Sequence, residues 1–234
     1  MLNTSGLYQT MLRDPRHQKE CYVRIAGEDY HQDRLVSLST SGGAFASPDI
    51  GTCASRQIDL LLRNPGEIPR QAELRAYVRL RLGGQASEWL PKGVYYISTR
   101  KLDKRTGTLA IHGFDAMLKA SDVWLTEDYA PVNWPMPQRV AVEDIAYRMG
   151  VEVDPRTVVT DGFPIPYPAD ETGEDVTMLD ILEFIAVCNA GNWVISDEGR
   201  LLLLRYGDIP PETNYLVTEY GSAITLGGVR ILVG

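Results

Sequence analysis

The stretch GTLAIHGFDAMLKASD, residues 107–122, joins two parts of the chain that have different sequence patterns. It begins as an alternating, strand-like run and continues through a glycine into a short helical pattern. We expect Gly113 to allow a bend and Asp115 to cap the short helix, with Phe114 and Met117 packed inward. The stretch therefore predicts a corner between a strand-rich part and a helix-containing part.

The part before this corner alternates apolar and polar residues over short segments. The clearest case is ELRAYVRLRLGG (73–84), where leucine, alanine and valine alternate with arginine and tyrosine. Turn-forming residues such as Pro91-Lys92-Gly93 separate the segments. Five or six short strands at this spacing predict a barrel or sandwich. They lie within residues 18–27, 33–42, 54–64, 73–84, 87–103 and 106–113.

The part after the corner changes to helical periodicity. RVAVEDIAYRMG (139–150) has apolar residues at helical spacing and a glycine stop. TMLDILEFIAVCNAG (177–191) begins with Thr177 and Asp180 in a capping-box pattern, and we expect Gly191 to close it. NWVISDEGRLLLLRY (192–206) predicts a hairpin. The fold class is therefore α+β, mainly β: a strand-rich unit followed by a small unit with two helices and a hairpin.

Composition and charge exclude several classes of function. The chain has 31 acidic and 23 basic residues, a net charge of −8, which disfavours nucleic-acid binding because that depends on Lys and Arg. Cys21, Cys53 and Cys188 are far apart and predict reduced thiols rather than disulfides. We expect no secretion signal at the start, and no apolar run approaches the length of a membrane span.

Two groups of residues offer alternatives in catalysis or metal binding. His112 and Asp115 form a candidate acid–base pair, but no motif supplies a nucleophile or an oxyanion site. Carboxylates in the loop at 162–175 offer oxygens to a hard cation, without the spacing of a calcium loop; they are Asp170, Glu171, Glu174 and Asp175. The sequence therefore predicts no catalytic, cofactor-binding or metal-binding residue and no cofactor, and it does not identify binding residues.

Two further groups suggest binding surfaces. Arg75, Arg79 and Arg81 share one face of a predicted strand, which suits water or the acidic side chains of a neighbouring subunit better than nucleic acid. The four tryptophans are scattered, which favours core packing for most of them. The alternative function is a carbohydrate-binding module with an exposed aromatic platform, for which the candidates are Trp89, Trp124 and Trp134.

The order of these pieces resembles a known family. IPRQAELRAYVRL and SEWLPKGVYYISTRKLDKRTGTLAIHGFDAMLKASD are followed by TMLDILEFIAVCNAGNWVISDEGRLLLL. This order resembles the tail hub proteins of bacteriophages, which include the baseplate hub of contractile tails and the N-terminal part of tail-tip proteins in long non-contractile tails. The resemblance covers most of residues 18–234.

The resemblance implies a non-enzymatic structural protein of a phage or prophage virion. It implies a homotrimeric ring at the distal end of the tail tube, in contact with distal tail and tail-tube proteins and forming part of the DNA path. The chain would be made in the bacterial host cytoplasm and reside at the virion tail tip, with no specific nucleic-acid binding.

The resemblance also divides the chain into four segments. Residues 1–17 would be an N-terminal arm, 18–122 a tube-type β-barrel and 123–206 the small α+β domain. Residues 207–234, which end in ITLGGVRILVG, would return to the first barrel or open a second barrel. We expect the natural polypeptide to be longer if they open a second barrel.

Overall fold

The protein is mainly β with few helices, as the sequence predicts. The computed structural model describes residues 4–42, 49–125, 134–160, 162–166 and 175–206, and the backbone of 225–226 and 229–230. The helices are α1 (Gly6–Arg13), a 3-10 helix (Ala116–Ser121), α2 (Gln138–Met149) and α3 (Met178–Cys188). The strands are β1 (Gln18–Ile25), β2 (Glu28–Tyr30), β3 (Leu35–Ser41), β4 (Cys53–Ala54), β5 (Gln57–Arg63), β6 (Glu73–Leu82), β7 (Gln85–Ala86), β8 (Leu90–Asp103), β9 (Thr108–Phe114), β10 (Gly191–Ile195), β11 (Leu201–Arg205), β12 (Thr225–Leu226) and β13 (Val229–Arg230).

The first part of the chain forms one antiparallel sheet. Its strand order is β2-β1-β6-β8-β9-β5-β3, and β7 pairs with the end of β6. Alternate residues of the strands point to a common core, because side chains alternate between the two faces of a sheet. The predicted strands and their buried faces are therefore confirmed, and the core includes Val23, Ile25, Ile58, Leu60, Leu62, Leu74, Ala76, Tyr95 and Ile111.

The predicted closed barrel is not confirmed. The two edges of the sheet are β2 and β3, and no ladder joins them in the described part of the chain. One edge strand has only three residues, and the other shifts register between Leu35 and Ser37. Alternation predicts which face of a strand is buried, but it does not distinguish an open, curled sheet from a closed one.

The second core lies between the helices and the β10–β11 hairpin. Trp124 and Trp193 are fully buried in it, together with the apolar faces of α2 and α3. The capping box is formed as predicted: Thr177 Oγ1 accepts from the backbone N–H of Asp180, whose carboxylate accepts from the backbone N–H of Thr177. Gly150 ends α2 in the left-handed conformation, also as predicted.

The predicted end of α3 is wrong by a few residues. The helix ends at Cys188, and Ala190 takes the left-handed conformation instead of Gly191. Gly191 is already the first residue of β10, and a Cβ atom there would lie 2.6 Å from the carbonyl oxygen of Leu204. Close approach of two strands, rather than a helix stop, accounts for this glycine.

One connection was not predicted at all. The short strand β4, which precedes the sheet strand β5, pairs in parallel with β10 of the second core. Thr52 N–H donates to Asn192 Oδ1 at 3.0 Å, and the Asn192 amide donates to the carbonyl of Asp49 at 3.0 Å. A loop of the strand-rich part therefore completes the sheet of the small unit.

Residues 207–234 lie outside the described residues, apart from β12 and β13, whose backbones form a two-residue antiparallel pair. The expectation that this segment returns to the first sheet or opens a second barrel stays a prediction, as do the domain boundaries. Among the described residues, no helix combines the length and the apolar character needed to cross a membrane.

Candidate interaction face

Asp115 is a structural residue of the corner. Its side chain is fully buried and accepts hydrogen bonds from Met117 N–H, from Arg56 N–H and from Ser55 Oγ, at 3.0 to 3.1 Å. The predicted capping of the short helix is confirmed. Burial raises the pKa of the Asp115 carboxyl, although these donors and the Arg56 charge act in the opposite direction.

His112 points to a different partner, so the two residues do not form the candidate acid–base pair. Its Nδ1 lies 2.8 Å from Asp59 Oδ1, directly across the β5–β9 ladder. Phe114 is half-buried, with its ring edge-on to His112, rather than packed into the core. Gly113 permits a close approach: a Cβ atom there would lie 2.6 Å from the carbonyl oxygen of Tyr96.

Arg56 joins this corner to the small unit. Its Nη1 donates to Asp197 Oδ1 at 2.6 Å, its Nη2 donates to the carbonyl of Ser196 at 3.0 Å, and its Nε lies 3.6 Å from Asp115 Oδ2. We call Arg56, Asp115 and Asp197 the joint. Because Asp197 lies at the tip of the β10–β11 hairpin, the joint connects the strand-rich sheet to the second core.

One face of β1 and β6 brings together aromatic rings that lie far apart in the sequence. Tyr22 and Tyr77 are opposite each other in the ladder and stack at 4.7 Å with an interplanar angle of 8°. Trp89 packs edge-on against Tyr22 at 4.7 Å between ring centroids. His31 stacks on the Tyr22 ring at 5.0 Å. The guanidinium of Arg79 lies 4.3 Å from the Trp89 ring, a cation–π contact. These five residues are called the aromatic face.

Charges around the aromatic face are neutralised within the chain. Glu20 accepts from Arg79 Nε and from Arg81 Nη1, each at 2.7 Å, and these bonds lower the pKa of its carboxyl. Arg24 and Arg75 lie opposite each other in the β1–β6 ladder. Each binds a carboxylate on its own side, Asp29 and Glu73 respectively, which offsets the repulsion between like charges.

This arrangement suits contact with a protein. Tyr, Trp and Arg are the residues most enriched where proteins bind each other, because they combine large apolar area with hydrogen-bonding tips. A shallow cavity of about 320 Å³ lies beside the rings. It is lined by Glu20, Cys21, His31, Gln32, Arg79 and Trp89.

The described residues do not form the alternative metal-binding and carbohydrate-binding sites. No group of three metal-ligating residues occurs among the described residues, and Asp170, Glu171 and Glu174 of the acidic loop lie outside them. Trp124 is fully buried and contacts Trp134 at 6.0 Å, so these two and Trp89 do not form an exposed sugar platform. Burial raises the pKa of the Cys21 and Cys53 thiols, which opposes their activation as nucleophiles.

Comparisons with known proteins identify the fold. The 43 kDa tail protein of prophage MuSo2 from Shewanella oneidensis has a similar structure, with a TM-score of 0.55 and 13% identity over 85% of this chain. The chain has the fold of a prophage tail protein. The tail protein from Neisseria meningitidis MC58 (TM-score 0.48, 14% identity) and prophage tail protein gp18 from Listeria monocytogenes EGD-e (TM-score 0.43, 9% identity) each cover 86% of this chain.

These similarities concern the fold alone, and the fold assignment rests on the MuSo2 protein. The chain spans 59% of the length of that protein and 55% of the length of the other two. No family model matches the sequence, and no curated protein matches it.

Proposed function

We propose that the chain is a structural component of a phage or prophage tail tip, a hub that assembles as a ring at the distal end of the tail tube and helps form the DNA path. The observation that carries this proposal is the structural match to a prophage tail protein over 85% of the chain. The order of sequence motifs, which resembles tail hub proteins, supports the same conclusion. Synthesis in the bacterial host cytoplasm and location at the virion tail tip follow from this role.

The proposed assembly is a homotrimer in contact with distal tail and tail-tube proteins. The aromatic face supports it, because its rings are stacked and its arginines are held by carboxylates before any partner arrives. A surface that is ordered in advance loses little conformational entropy on binding. The open sheet edge at β2 lies next to this face and offers backbone groups to a neighbour.

We propose a role without enzymatic activity. His112 and Asp115 bind different partners, and the three binding partners of the Asp115 carboxylate are all parts of the fold. These contacts support a structural role for both residues at the corner, rather than a role as an acid–base pair.

Deletion of the coding sequence from the prophage tests the proposed role directly. Electron microscopy of induced lysates should show no complete tails, and a plasmid copy should restore them. Tails of normal length with an unchanged tip in the deletion strain would contradict the proposal. In solution, light scattering should give three times the 26.1 kDa chain mass, alone or after addition of the tail-tube protein.

Two substitutions test the aromatic face within this role. Trp89→Ala with Arg79→Ala should reduce incorporation into tails, because it removes the outer ring and the cation above it. Tyr147→Ala is the matched control, since Tyr147 is an aromatic residue 83% exposed on α2, far along the chain from the face. Equal incorporation of both variants, at unchanged thermal stability, would exclude the face as a tail contact.

A further inference from the structure

The β8–β9 hairpin and the loop before β6 form a strongly basic end of the first sheet. The hairpin turn follows Asp103, and Arg63 of β5 lies opposite Thr108 beside it. The loop at 65–70 lines the same end of the sheet together with β8 and β9. The cationic residues there, called the basic end, are Arg63, Arg70, Arg100, Lys101, Lys104 and Arg105.

Few carboxylates lie beside the cations of the basic end in the described part of the chain: Asp103 interacts with Lys101, and Glu67 lines the same cavity. None of its six residues takes part in an ion pair there, whereas most of the other arginines do. Asp103, the nearest carboxylate in the sequence, accepts from the backbone N–H of Arg105 at 2.8 Å to form the turn. An excess of positive charge therefore persists at one end of an acidic protein.

The basic end also has an apolar centre. Leu102 is 54% exposed and borders a cavity of about 660 Å³, which Arg70, Arg100 and Glu67 also line. Pro65, Ile68 and Leu109 also line this cavity. Cations around an exposed leucine fit an acidic protein surface that carries apolar side chains. Nucleic acid would favour stacking aromatic rings, which are absent from this lining.

Such a surface occurs on the other unit of this same chain. Residues 18–122 contain 15 basic and 12 acidic residues, a net charge of +3, whereas residues 123–206 contain 5 and 15, a net charge of −10. Residues 207–234 contribute only three acidic residues and one arginine. The charge of the chain is therefore separated between its two units, and the acidic unit is the better electrostatic match for the basic end.

Helix α3 presents the matching surface. Asp180, Glu183, Phe184 and Val187 are spaced i, i+3, i+4 and i+7, so they form one stripe, which we call the α3 stripe. Phe184 is 39% exposed and Val187 is 61% exposed. Burial and the neighbouring charge of Asp180 raise the pKa of Glu183, and a cation placed there would offset the repulsion between the two carboxylates.

The basic end cannot reach the α3 stripe of its own chain. The small unit packs on the opposite end of β8, where Gly199 lies against Val94. Asp103 follows nine residues later on the same strand, a distance of about 30 Å for extended backbone. Within the described part of the chain, the α3 stripe therefore supplies no carboxylate to the basic end of the same molecule.

We infer that the basic end of one subunit binds the α3 stripe of a second copy of this chain, with Leu102 against Phe184 and Val187. The two surfaces differ, so the contact is heterologous and closes a ring when the rotation between subunits permits. This inference rests on the proposed ring and specifies the surfaces that form it.

Zero-length cross-linking of mixed isotopes tests the contact. Full-length chains labelled with ¹⁴N and ¹⁵N are mixed and treated with a carbodiimide, which couples lysine amines to carboxylates in direct contact. Mass spectrometry should find Lys101 or Lys104 joined to Asp180 or Glu183 in mixed-label pairs. Cross-links that occur only within one label, or only to other segments, would overturn the inference.

Charge reversal tests the same contact by sedimentation. Lys101→Glu with Lys104→Glu should weaken self-association at low salt by about tenfold or more, because like charges would then face each other. Arg13→Glu with Lys19→Glu is the control with the same change in net charge, since both residues are exposed and form no ion pair with another described residue. Addition of Glu183→Lys to the first variant should restore part of the association.

Three outcomes would overturn the inference. They are a monomeric wild type at low salt and high concentration, equal loss in test and control variants, and binding of a DNA duplex that Lys101→Glu with Lys104→Glu abolishes. If reversed variants trimerise normally while the deletion strain lacks tails, the inference fails and the proposed function stands. If tails form without the chain but self-association depends on the basic end, the proposed function alone fails.

Discussion

Two charge clusters on this molecule have inverted compositions: the joint has one arginine between two carboxylates, and the cluster beside the aromatic face has one carboxylate between two arginines. In the joint, Arg56 lies between two carboxylates, and its side chain is 17% exposed while that of Asp115 is fully buried. Beside the aromatic face, Glu20 lies between two arginines, one of which, Arg81, is 46% exposed. The central residues Arg56 and Glu20 are similarly exposed, at 17% and 16%, so the two clusters differ in the exposure of the partners that surround them.

The difference shows that a cluster of ion pairs can stabilise the fold or can lie on a surface that is available for binding. In the joint, Asp115 has no access to water if it loses its partners, so the cluster fixes the two units to each other. Beside the aromatic face, Arg79 and Arg81 are hydrated if they lose Glu20, so these two side chains cost little to rearrange when another protein approaches. The joint therefore belongs to the fold, and the face is open to binding.

The largest expected effect comes from Asp115→Ala. This change removes the cap of the 3-10 helix, leaves buried donors of Arg56 and Ser55 unpaired and removes a counter-charge, so the free energy of unfolding should fall by about 3–5 kcal/mol. Urea denaturation followed by fluorescence measures it. Asp115→Asn is the control that keeps the shape, and it should lose less. A loss below about 1 kcal/mol would show that the joint is not a buried network.

The next largest effect comes from Arg56→Ala. Loss of the bonds to Asp197 and to the Ser196 carbonyl should lower the free energy of unfolding by about 2–3 kcal/mol. Arg56→Lys should recover only part of this, since one ammonium group does not reproduce the two donor directions of a guanidinium. Full recovery with lysine, measured in the same urea titration, would show that charge alone holds the hairpin tip.

Glu20→Gln should have a smaller effect at neutral pH. The carboxylate is paired with two partly exposed arginines, so its removal should lower the free energy of unfolding by about 1 kcal/mol or less. In high salt, the difference in unfolding free energy between the wild type and this variant should become smaller, because salt screens exposed charges. A loss as large as that of Asp115→Ala would remove the distinction between the two clusters.

The smallest effect is a difference in pH dependence between the two carboxyls. The pKa of Glu20 is lowered below 4.5 in the folded state, so its contribution is present above that pH and is lost as the pH falls through the folded pKa. The pKa of Asp115 is raised above 3.8, so the folded protein binds a proton more tightly there, and stability falls as the pH rises toward the folded pKa.

The two variants should therefore change the pH slope of stability in opposite directions. Around pH 4, Glu20→Gln should remove a rise of the unfolding free energy with pH, and Asp115→Asn should remove a fall. Urea titrations at closely spaced pH values measure both slopes. Slopes that change in the same direction would contradict this assignment of the two environments.

Local patterns in the sequence predicted the strands and helices well, because alternation and helical periodicity report directly on which face is buried. The sequence pattern predicts both the buried face of β6 and the capping box of α3. The sequence also named Asp115 as a cap, Arg79 as part of a cationic face and Trp89 as a candidate binding residue.

Long-range relations were not predictable in the same way. Nothing in the two residues of β4 indicates a partner on β10, and two-residue strands are too short to show alternation. The aromatic face was missed because its rings are dispersed over 68 positions, from Tyr22 to Trp89, and only the β1–β6 register brings Tyr22 and Tyr77 together. Gly113 was assigned to a bend and Gly191 to a helix end, whereas close approach between strands explains both.

The pairing of β4 with β10 has a consequence for synthesis on the ribosome. The hydrogen bond from Thr52 to Asn192 spans 140 residues, so the strand-rich part leaves the exit tunnel well before the partner of its loop has been translated. The loop at 49–54 must wait through the production of both helices before it finds β10. The pairing therefore cannot form before β10 has left the tunnel, and a nascent chain stalled near residue 150 should leave this loop accessible to protease.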